Sequence, residues 1–158
     1  MLEIAKIFLT ATVAAIFGLL IFTLQRFLLD PISEQAKAIG RIGFALLFYA
    51  ERYANPLDTK KADQPSISTV ERYSEAKQEL RRCASELAAT SNAIRCRRLF
   101  CVLGLSPTKE ATTETIGLLI GISNALFDSH AVFDSAVSNS KAADAVRVLL
   151  NLNRVPVK

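Results

Sequence analysis

From Ile7 to Leu24 the chain carries no formal charge, and Thr10, Thr12 and Thr23 are the only polar side chains in the stretch. A helix of that length just crosses a hydrocarbon core of about 30 Å. Ile, Leu, Phe and Val dominate it, each favouring insertion by roughly 0.3 to 0.6 kcal/mol near a helix centre, so a membrane-spanning helix is the expected state. Phe27, Leu28 and Leu29 prolong the apolar surface past Arg26, whose long side chain reaches toward the headgroups. Two other states compete with this one. A cleaved secretory signal would need a small-x-small exit, and Leu24-Gln25-Arg26-Phe27 lacks it. A buried core helix would need a larger domain around it than this chain supplies.

Beyond Leu29 the pattern changes from continuous to periodic. Asp30-Pro31 reads as an N-cap followed by proline at the first helical position, with Glu34 in the first turn. Ile32, Ala36, Ile39, Ile42, Leu46, Tyr49 and Tyr53 then recur at steps of three and four until Asn55-Pro56. Residues 55–66, polar and rich in proline and asparagine, form the one clear linker. Ser68 and Glu71 have capping-box spacing, and Val70, Tyr73, Ala76, Leu80, Cys83, Leu87, Ser91 and Ile94 predict a second helix reaching as far as Leu103, with Gly104 as its C-terminal cap. Ser106-Pro107 repeats the Asp30-Pro31 signal and opens a third helix to about Phe127, strongly apolar from Ile116 onward. That apolar run is too short for a second membrane pass. The tail, 131–152, reads as one broken or two short helices, interrupted at Ser138-Asn139-Ser140, with Ala145, Val148, Leu149 and Leu152 on the buried face.

The expected architecture is therefore all-α. One N-terminal transmembrane helix (1–30) precedes a small antiparallel bundle of four to five helices (31–158), with the 55–66 linker between the first two. Small residues mark faces suited to close helix packing: Ala14 and Gly18 in the apolar stretch, Gly40 and Gly43 in the first bundle helix, Gly117 and Gly121 in the third.

A formal net charge of +4 suits a protein near anionic lipid but falls short of the charge density of a nucleic-acid binder, so no nucleic-acid partner is expected. Cys83, Cys96 and Cys101 cannot all pair within one chain, which favours a reducing compartment. With His130 they would make a Cys3His set, but structural zinc sites use closely spaced ligand pairs and these four are scattered; neither a metal nor a cofactor is expected. His130, flanked by Asp128 and Asp134, is the only imidazole available to an enzyme, and no glycine elbow, phosphate loop or histidine pair accompanies it. No catalytic residue is assigned.

Charge meets apolar surface at one place, where Arg95, Arg97 and Arg98 adjoin Leu99, Phe100, Val102 and Leu103. If the first bundle helix leads away from the membrane for about 36 Å, the second must bring this cluster back. Arg95, Arg97, Arg98 and Phe100 are thus the expected membrane-surface contacts, arginines on anionic headgroups and phenylalanine inserted shallowly. The arginines and lysines beyond the apolar stretch also place the C-terminal domain in the cytoplasm by the positive-inside bias. The functional expectation is a single-pass, membrane-tethered interaction module that docks a protein partner or itself. The alternatives are a subunit of a larger transmembrane assembly and a small membrane enzyme with its site at His130.

Overall fold

The computed structural model describes residues 2–58, 66–127 and 132–152. Its N-terminal third is one long rod. Helix α1 (Leu2–Leu24) passes through a π-turn (Gln25–Leu29) into α2 (Asp30–Phe48) with no interruption. Asp30 is accordingly not a cap: its φ of −58° and ψ of −48° are helical, and its N–H bonds to Gln25 O. Pro31 fits here because the wider π-turn leaves its missing N–H unneeded, so the expected new start is a change of register inside a continuous helix.

No described side chain of α1 is buried, and the helix is long and apolar enough to cross a membrane. The hydroxyls of Thr10, Thr12 and Thr23 donate to the carbonyls of Lys6, Phe8 and Leu19, four residues back, at 2.9, 2.9 and 2.7 Å. The polar groups of this stretch are therefore satisfied within it.

α2 bends at Tyr49, where φ −98° and ψ 13° leave the helical region, and a short turn, α3 (Ala50–Ala54), follows. Beyond the linker come α4 (Ile67–Ala93), α5 (Arg97–Val102), α6 (Lys109–Ala125) and α7 (Val132–Leu149); no strand occurs among the described residues. The four long helices α2, α4, α6 and α7 form an antiparallel bundle, with α4 between α2 and α6 and α7 closing against α6 and α3. Bonds from Gln35 to Ser91 and from Arg41 to Glu86 run α2 against α4, Arg81 to Asn124 joins α4 to α6, and Arg97 to Thr112 joins α5 to α6.

The core is built by Ile42, Leu46, Tyr49 and Tyr53 from the first bundle segment, Ala76, Leu80, Cys83 and Leu87 from α4, Leu119, Ile122 and Leu126 from α6, and Ala143, Val146 and Leu150 from the tail. The expected stripes of the first three bundle helices supply most of it. The tail differs. α7 runs unbroken through Ser138-Asn139-Ser140, because buried Asn139 turns inward and donates to Tyr53 O at 3.1 Å. Its core stripe is Asn139, Ala143, Val146 and Leu150, which rotates the expected face and leaves Val148 exposed.

Helix starts also shift. α4 is capped by Ser66, whose hydroxyl accepts from Thr69 N, while Ser68 and Glu71 stand exposed. α6 is capped by Thr108, accepting from Ala111 N at 3.1 Å; Ser106 instead turns inward and donates to Gln35 Oε1 at 2.7 Å. α4 stops at Ala93, with Ile94 extended, so the second helix does not reach Leu103. Gly104 is the expected cap, but of α5: at φ +70° it bonds to Cys101 O while Leu105 bonds to Phe100 O, a Schellman closure.

Candidate functional site

Two surfaces stand out, one at each end of α2. The first lies at the base of the bundle, next to the end of α1. Buried Gln35, in the second turn of α2, donates to Ser91 Oγ at 2.9 Å and accepts from Ser106, tying α2, α4 and the loop before α6 together. Arg95 then places its guanidinium 5.4 Å from the ring centre of Phe27, in the π-turn. The basic cluster does come back to the foot of the apolar helix.

It does not come back as one patch. Arg95 and Arg98 are exposed, but Arg97 turns into the fold, its Nη2 donating to Pro107 O at 3.3 Å, Thr108 O at 3.1 Å and the Thr112 hydroxyl. Phe100, 7% exposed, is a core residue and not a surface contact. The reason is the break at 94–96: it restarts the helix with Arg97, Phe100 and Cys101 facing inward. Leu99, Val102 and Leu103 face outward, with Leu105 exposed just beyond.

The second surface is the outward side of α2. Phe44, Leu47 and Phe48 are all exposed, with the two phenylalanine rings stacked at 5.5 Å, and Gly40 lies one turn before Phe44 on the same side. Among the described residues, the helix's own nearby backbone aside, nothing lies within 4 Å of a Cβ placed on Gly40. Gly18, Gly117 and Gly121 are equally open among the described residues. Ala14 is exposed as well. At Gly43 an added Cβ would meet Leu152 Cδ2 at 3.3 Å.

Electrostatics at the α2–α4 seam serve structure. Partial burial pushes the Glu86 carboxyl up, but the hydrogen bond from Arg82 and the charge of Arg41 outweigh it and hold the group below its ordinary 4.5. Burial, helped by the charges of Glu79 and Glu86, raises the Cys83 thiol to about 11, which makes it an unreactive core residue. Cys96 is exposed, and Cys101 donates to Pro107 O at 3.3 Å. Among the described residues no three His, Cys, Asp or Glu side chains gather as a metal site. His130 and Asp128 lie outside the described residues, and Asp134 is exposed in the first turn of α7.

Sequence reasoning missed Gln35, Ser106 and Asn139, each a polar residue on a core stripe. Stepping back along the stripe from Ile42 through Ala38 lands on Gln35, and that periodicity was the available signal. The Phe44-Leu47-Phe48 face was also legible, as a second apolar stripe opposite the first. No protein-family model, curated protein or solved structure matches this chain.

Proposed function

We propose that the protein is a single-pass membrane protein whose cytoplasmic helical bundle associates with a second copy of itself along α2. The observation that carries this reading is the unpartnered Gly40-Phe44-Leu47-Phe48 face, displayed on a helix that continues directly from the apolar span.

The anchor is supported by its two charged ends. Glu3 pairs with Lys6 at 3.4 Å and Arg26 with Asp30 at 3.8 Å, and the uncharged helix between Lys6 and Arg26 is about 28 Å long. Its apolar side chains have no cover among the described residues, so lipid is their natural solvent. Phe44 lies about 21 Å beyond Asp30, well outside the bilayer, and lipid does not account for that face.

A second copy fits because the same side of the rod is small lower down. Ala14 lies below Gly40, and Gly18 below Phe44, by about seven turns once the extra residue of the π-turn is discounted. Two parallel rods meet through small residues in the apolar stretch and aromatic ones above it. Confinement to one membrane raises the local concentration, so a modest face suffices. The bundle's side of the membrane rests on Arg26, Lys37 and Arg41 following the span.

The test is sedimentation and in-membrane crosslinking of the full chain. The native protein is expected to give a dimer, and Phe44→Ser with Leu47→Ser to weaken it at least about tenfold with bundle unfolding unchanged, both positions being exposed. A native monomer at all protein-to-lipid ratios, a dimer unaffected by the two changes, or a dimer only with a different protein overturns the reading.

A further inference from the structure

α5 departs from the usual polarity at Arg97, Leu99 and Val102. A short helix on the surface of a water-soluble domain presents its charges outward and buries its leucines. Here a guanidinium, Arg97, is folded inward among carbonyls, while Leu99, Val102 and Leu103 are 55%, 86% and 58% exposed, followed by Leu105 at 56%. The arrangement is held firmly. The Schellman closure at Gly104, the three Arg97 bonds, the Cys101 thiol on Pro107 O and the Ser106–Gln35 bond fix both ends of a segment too short to be helical by itself.

Its position gives the inversion a meaning. Arg95, two residues before α5, rests on Phe27, and Ser106, four residues after it, bonds to Gln35, about 8 Å along the rod from Asp30. The segment that bears the apolar lip is thus tied to the rod at Phe27 and at Gln35, just past the end of the apolar helix. Arg95, Arg98 and Lys109 surround it, all exposed and without an ion pair among the described residues. An open cleft of about 620 Å³ runs between Arg98, Val102 and Lys109, with Glu110 as the one acid lining it.

We propose that 95–105 is a collar that seats the bundle on the anionic leaflet from which α1 emerges. Leu99, Val102, Leu103 and Leu105 enter the headgroup–acyl boundary, while Arg95, Arg98 and Lys109 meet lipid phosphates. The occupant is lipid because the face is small and shallow, carries unpaired cations at its rim, and stands where a spanning α1 puts the interface; insertion of roughly 5 to 10 Å suits such an element. The inference rests on the membrane-spanning reading of α1, and it deepens that reading by fixing the tilt of the bundle.

The chain has no tryptophan, which supplies the test. Single-tryptophan variants of the full chain are reconstituted into phosphatidylcholine vesicles with about one-third phosphatidylserine, with and without lipids brominated on the acyl chains. Val102→Trp reports the collar, Ile16→Trp the span, and Ile67→Trp, 80% exposed at the far end of α4, the bulk solvent. Bromolipid is expected to quench Val102→Trp at least about twofold more than Ile67→Trp. Because an arginine near an anionic surface is worth about 1 kcal/mol, or roughly fivefold, Arg95→Glu with Arg98→Glu should lower the ratio of docked to undocked collar by about 25-fold or more. Quenching of Ile16→Trp with none at Val102→Trp overturns the collar and leaves the span standing. Quenching of neither overturns the span and the collar together, and quenching at Val102→Trp that ignores phosphatidylserine and the arginines overturns the anionic-lipid assignment.

Discussion

α1 and α2 are successive stretches of one rod, yet they relate to their surroundings in opposite ways. α1 is apolar on every side, and no described side chain of it is buried; α2 is apolar on two opposite sides, one buried against α4 and one exposed. Helix geometry is the same in both, so the pattern of side chains alone decides which stretch a bundle can use. A uniformly apolar helix has no face to prefer, whereas α2 offers Ile42, Leu46 and Tyr49 on one side and directs the fold to it.

Breaking α1 gives the largest effect. Ile16→Asp with Leu20→Lys places two charges mid-span, each costing roughly 2.5 to 3.5 kcal/mol of insertion. The full chain is expected to move from the carbonate-resistant membrane fraction to the supernatant, while the bundle's thermal unfolding stays in place. Retention in the membrane pellet would count against a lipid-facing α1.

The next effect separates the two stretches within one measurement. Leu46, fully buried on α2, is expected to cost about 2 to 5 kcal/mol when changed to Ala, read by urea unfolding in mild detergent. Leu20→Ala, the same change at an exposed position of α1, should leave that transition within about 0.5 kcal/mol. Equal losses would mean that α1 belongs to the core.

The smallest effect sharpens the seam between α2 and α4. Glu86, held below its ordinary value, binds protons less readily folded than unfolded, so its contribution is present above about pH 4.5 and fades as pH falls through the lowered folded value. Being partly exposed, it should amount to less than about 1 kcal/mol. Glu86→Gln is expected to flatten the acid limb of the stability profile by that amount and leave the profile near neutrality parallel to the native one.

Much of the architecture was legible in the residues. The apolar stretch, the stripes through Ile42, Leu80 and Leu119 and the cap at Gly104 all follow from spacing and from what each residue type tolerates. The candidate site was legible only in outline. The density of arginines beside leucines marked 95–103, and the return of the second helix placed it, but which residues faced out depended on a break at 94–96 that the continuous stripe concealed. Arg97 and Phe100 went inward, while Leu99, Val102 and Leu103 came out.

By itself, then, the sequence determined what each segment is: helix or linker, uniformly or partly apolar, charged or not. These are local properties, set within a turn or two by hydrophobic spacing and backbone preference. Only the tertiary structure decided where the polar exceptions go, because Gln35, Ser106 and Asn139 become core residues solely through partners 56, 71 and 86 positions away. It also decided that the second apolar side of α2 and the lip of α5 remain bare. Burial is a property of the whole assembly, and no segment carries in its own residues the knowledge of what will cover it.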